Sequence, residues 1–139
     1  MPDNNIEKQD KILEAIAKVI QLTRDNSLTW IVVDTSNVQK TKNNDIISSA
    51  FCASYKQKIL RIYKRQYQGL LTMAKFAMVF SSSSKNPESS WFEEIILEIV
   101  NEKNVSLWVF PKEDILKDLL KTIKYKVSGA EDLINSLIK

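Results

Sequence analysis

The spacing of apolar residues changes twice along this chain, from helical to alternating and back to helical, and that order restricts it to helices flanking a sheet. Over residues 6–24, Ile12, Leu13, Ile16, Val19 and Ile20 form one stripe, while Glu7, Lys8, Lys11, Glu14, Lys18 and Gln21 lie elsewhere. Asn4 followed by Glu7 has capping-box spacing. Asp25, Asn26 and Ser27 end the helix. The next residues, Leu28–Val33 (LTWIVV), are β-prone, with Trp30 placed to anchor the helix end.

Residues 34–49 are polar and without period, which predicts a surface loop. Phe51–Tyr55, a turn at Lys56, Gln57 and Lys58, and Ile59–Tyr67 then predict a hairpin. In its second strand, alternation sends Leu60 and Ile62 to one face and Arg61, Tyr63, Arg65 and Tyr67 to the other. One face belongs to a core, and the other is expected to face solvent or a partner. A strand is also expected over 74–80, followed by a loop through Ser81–Ser84 and Pro87.

Residues 91–100 fit either period. They read as a helix through Trp91, Phe92, Ile95, Ile96 and Ile99, or as a strand alternating Glu93, Ile95, Leu97 and Ile99 with Glu94, Ile96 and Glu98. The polar Asn101–Asn104 and the β-prone Val105–Phe110 favour a second hairpin, which Pro111 stops. Beyond it Ile115, Leu116, Leu119, Leu120, Ile123 and Val127 return to helical spacing behind Glu113 and Asp114. Ser128 and Glu131 repeat the capping-box pattern, ahead of a short helix carrying Leu133, Ile134, Leu137 and Ile138. The expectation is one α+β domain over residues 1–139, an antiparallel sheet of four to five strands flanked by an N-terminal helix and C-terminal helices.

Composition narrows function mostly by exclusion. The 139 residues are 44% hydrophobic and 27% charged, the balance of a chain that buries a core. There is no histidine, which removes His-dependent nucleophiles and the common zinc motifs. Only two glycines are present, Gly69 and Gly129, too few for a phosphate-cradling loop. The lone Cys52 forms no intrachain disulfide. No apolar run approaches the ~20 residues that span a bilayer, and no signal-peptide pattern opens the chain, so a cytoplasmic protein without membrane contact is expected.

A net charge of +3 is mild for a nucleic-acid binder, and of the 20 basic residues only Arg24, Arg61 and Arg65 are arginine. The Arg61, Tyr63, Arg65, Tyr67 face is nonetheless the most suggestive constellation. Rings that stack bases, beside guanidinium groups that meet phosphate, suit a single-stranded nucleic acid. The competing explanation is pairing with Glu94 and Glu98 on the neighbouring strand. The acids Glu93, Glu94, Glu98 and Glu102 could gather round a hard cation, but on a strand Glu93 points away from Glu94 and Glu98, and no metal or cofactor is expected. Cys52, among Phe51, Ala53 and Tyr55, reads as a small hydrophobe.

The segments SLTW (27–30), the pattern FxxxYxxKxxRxYxxxY (Phe51, Tyr55, Lys58, Arg61, Tyr63, Tyr67), LWVFP (107–111) and VSGAEDLI (127–134) resemble small bacterial proteins of unknown function over most of the chain. That resemblance implies no catalytic or binding residue. Elimination leads to a non-enzymatic interaction or regulatory module, self-associating or binding a partner protein. Single-stranded nucleic-acid binding through Arg61, Tyr63, Arg65 and Tyr67 is the alternative.

Overall fold

The computed structural model describes residues 4–40, 42, 44–69 and 90–139, with the side chains of 4–7 and 90 left aside. The strand expected over 74–80 and the serine loop after it lie outside these residues. The described elements are helix α1 (Asn4–Arg24), strand β1 (Ile31–Val32), a 3-10 turn at Thr35–Asn37, strands β2 (Ile46–Tyr55), β3 (Lys58–Gly69), β4 (Ser90–Val100) and β5 (Ser106–Val109), then helices α2 (Ile115–Val127) and α3 (Ala130–Leu137). The strands form one antiparallel sheet in the order β1-β2-β3-β4-β5, an α+β architecture.

Local chemistry explains the joints. Asn26 takes a left-handed φ of 65° after α1, and the Ser27 and Leu28 amides both donate to the Leu22 carbonyl, which ends the helix and turns Leu28 and Trp30 inward. Trp30 Nε1 donates to Thr23 Oγ1 at 3.0 Å, so the expected anchor is present. Within the LTWIVV run Ile31 and Val32 pair with β2 and the Val33 amide donates to the Ala50 carbonyl at 2.9 Å, while Leu28 and Trp30 enter the core. Lys56 and Gln57 both have positive φ, the two-residue turn whose twist suits a hairpin, and Lys58 already pairs with Tyr55.

Two expectations are corrected. Residues 34–49 are not a surface loop throughout: Val38 is buried and β2 begins at Ile46. A bulge hides the strand in the sequence. The register slips between Ser48 and Phe51, with Ser49 at φ 53°, so the alternation before the bulge does not continue after it. The second capping box also differs. Gly129 occupies the cap position at φ 76°, Ser128 Oγ accepts from the Ala130 amide, and Glu131 turns back to Lys126 Nζ at 2.8 Å.

The apolar core fills one face of the sheet. Phe51, Ala53, Leu60, Ile62 and Leu97 meet Ile16 and Ile20 of α1 and Leu116, Leu119, Leu120 and Ile123 of α2. Burying large aliphatic groups of this kind stabilises by about 1.5–3 kcal/mol each. The opposite face holds a smaller cluster of Val38, Ala50 and Tyr63, with Val33, Ile47 and Ile96 packed against it. Residues 33–40, with Asp45, therefore run across the second face as a strap.

Candidate functional site

Strand geometry puts Arg61, Tyr63, Arg65 and Tyr67 on the strap-covered face, together with Cys52 of β2 and Phe92, Glu94, Ile96 and Glu98 of β4. The four residues do share a face, but its Arg61–Tyr63 half is closed. Arg61 is 2% exposed and Tyr63 7%, because the strap lies over them, so this half is not the open platform expected from alternation alone. Arg65 and Tyr67 at the far end are half-buried.

Register supplies the partners. Arg61 stands opposite Glu98, and Arg65 opposite Glu94. Arg61 Nε donates to Glu98 Oε2 at 2.7 Å and Nη2 lies 2.6 Å from the same oxygen. Its Nη1 reaches two carbonyls, Asn37 of the strap at 3.3 Å and Asn104 of the β4–β5 turn at 3.4 Å. Arg65 Nε donates to Asp45 Oδ2 at 2.9 Å and Nη1 to Glu94 Oε1 at 2.6 Å, while Lys112 Nζ closes an ion pair on Glu94 Oε2. The rings lie beside the same charges. The Arg65 guanidinium carbon is 4.3 Å from the Tyr67 ring centre, and Tyr67 stacks on Phe92 at 5.6 Å.

Both arginines are thus spent on internal ion pairs, each tied to a different part of the strap. Burial pulls the Asp45 carboxyl upward, but hydrogen bonds from Arg65 and the Lys42 amide outweigh it and hold that carboxyl below its ordinary value. Glu94 behaves alike: burial raises it, and Lys112 and Arg65 together bring it below the usual range. Burial, then the nearby Glu98 charge, pushes the Tyr63 phenol up to about 12, so the phenol stays neutral at physiological pH. Burial likewise raises the Cys52 thiol, more than neighbouring Arg61 lowers it, which leaves the thiol protonated and poorly nucleophilic.

The other candidates are dispersed. Glu93 points to the helix-covered face, beside Gln66 and Lys64. Among the described residues no group of three His, Cys, Asp or Glu side chains is gathered to hold a metal ion. A hollow of about 240 Å³ is lined by Glu93, Glu94, Lys112, Glu113 and Lys117, and Glu98 is not part of it. Asp45 Oδ1 is buried without a hydrogen-bond partner among the described residues.

Asn37, Asp45, Asn104 and Lys112 are site residues that sequence reasoning missed. Asn37 acts through its carbonyl, which no side-chain pattern reports, and Asp45 is one acid within a polar stretch. No family model, no curated protein and no solved structure matches the chain. No helix among the described residues is long and apolar enough to cross a membrane.

Proposed function

We propose that the chain is a protein-interaction module of accessory or regulatory kind, working by contact and without catalysis. The observation that carries this reading is α3. The helix is amphipathic, yet it buries none of its residues. Leu133 is 60% exposed, Leu137 72% and Ile138 76%. Scattered single hydrophobes on a surface need no explanation, but a contiguous stripe on one helix is the composition of a contact site. Edge strand β5 adds exposed Leu107, Trp108 and Val109.

Against the alternative stands the cost of freeing the arginines. A nucleic acid would have to take Arg61 from Glu98 and lift the strap, leaving a buried carboxylate without its partner. The test is solution mass by light scattering from about 1 µM to about 1 mM, together with capture of partner proteins from the source cell. A mass that rises with concentration, or a partner lost when Leu133 and Leu137 are both replaced by lysine, is the expected result. A strict monomer that retains nothing overturns the reading.

A further inference from the structure

We infer that the contact site takes an acidic amphipathic segment of a partner protein, seated between α2 and α3; this rests on the interaction reading above and names its partner chemistry. An open groove of about 810 Å³ lies where the end of α1, the second half of α2 and the start of α3 meet. Arg24, Lys121 and Lys124 stand in its lining, and none has an ion pair among the described residues. Two carboxylates also line it, Asp118 and Glu131, and Glu131 is neutralised by Lys126 at 2.8 Å. The charge is therefore on balance positive, over walls formed partly by lysine stems and the exposed Tyr125 ring.

The groove and the apolar stripe join through one row of α3. Glu131, Ile134 and Ile138 follow one another at i, i+3 and i+7, so the row that begins in the groove continues as exposed isoleucine. An occupant matching both halves has Leu or Ile on one side and Asp or Glu beside it. Helix-in-groove recognition takes that form. A second copy of this chain fits less well: a symmetric interface puts each patch against itself, and the groove's net positive charge would face its own copy.

The probe is a fluorescein-labelled amphipathic peptide of alternating Leu and Glu positions at helical spacing, titrated against the full chain by anisotropy, with the same peptide carrying Lys for Glu as control. The acidic peptide is expected to bind at least about tenfold tighter than the basic one, and to weaken as salt rises. Binding should drop about tenfold or more in the variant Lys121→Glu, Lys124→Glu and, separately, in Ile134→Lys; circular dichroism verifies that each is folded. Equal binding of both peptides, or variants that bind like the parent, overturns the inference. So does transfer of the same salt- and lysine-dependent binding to an oligodeoxythymidine or to phosphatidylserine vesicles in place of the acidic peptide. A chain that self-associates through Leu133 and Leu137 yet ignores the acidic peptide keeps the interaction reading and loses only this partner.

Discussion

The two faces of β3 are built from alternate residues of the same twelve, and they are held together by different physics. Leu60 and Ile62 enter an apolar layer with α1 and α2, where shape and area decide stability. Arg61 and Arg65 enter a layer of ion pairs under the strap, where each charge depends on a named partner. An apolar layer loses stability in proportion to what is removed. A buried charge layer fails in larger steps, because removing one partner leaves the other desolvated, whereas removing both can be nearly neutral.

This contrast is open to direct challenge by equilibrium unfolding in urea. The largest effect is expected for Arg61→Met, which strands Glu98 and should lose about 3–5 kcal/mol, with most of that recovered in the double variant Arg61→Met, Glu98→Leu. A double variant no better than the single would mean that the two faces respond alike. On the apolar face, Ile62→Ala should cost about 2–5 kcal/mol, and no polar change at Leu97 opposite should restore it. Next comes Thr23→Val, which takes away the acceptor of the Trp30 indole and should cost about 1–3 kcal/mol, with a shift in tryptophan fluorescence. The smallest change belongs to Lys64→Ala, whose pair with Glu93 is solvent-screened, at about 0–1 kcal/mol.

The polar face should also answer to pH where the apolar face does not. Asp45 and Glu94 sit below their ordinary 3.8 and 4.5 in the folded state, so their contribution is full above those values and is lost as pH falls through and beneath them. Thermal midpoints should decline on that acid side, and Asp45→Asn should flatten the decline. Tyr63 has the opposite sign. Its phenol is raised from 10.0 to about 12, so its contribution is full below pH 10 and fades between 10 and 12; Tyr63→Phe should flatten that alkaline arm. A parent protein with no slope in either window would remove the buried charge layer from the account.

Legibility followed the range of the interaction. Alternation in 59–67 and 91–100 put Arg61 and Arg65 on one face and Glu94 and Glu98 on the matching one, and opposite charges at the same four-residue spacing already suggested the pairing now seen. The strap was not legible. Val38 looks like one hydrophobe in a polar loop, and the Ser49 bulge breaks the period that would have announced β2. The exposure of α3 was equally hidden, since Leu133, Ile134, Leu137 and Ile138 have the same spacing whether a helix covers them or not.

The sequence alone determined the helix, sheet, helix order and which side chains share a face, because backbone geometry fixes period within a few residues. Tertiary structure decided which faces are covered. Arg61 is closed in by Asn37 and Asn104, 24 and 43 residues away along the chain, and no local pattern encodes such meetings. The Arg/Tyr strand, the most conspicuous candidate for binding in the sequence, became an internal clasp, and the plain short helix at 130–137 became the exposed surface. A side chain's chemistry is set by its own atoms, but its availability is set by what the rest of the chain lays over it.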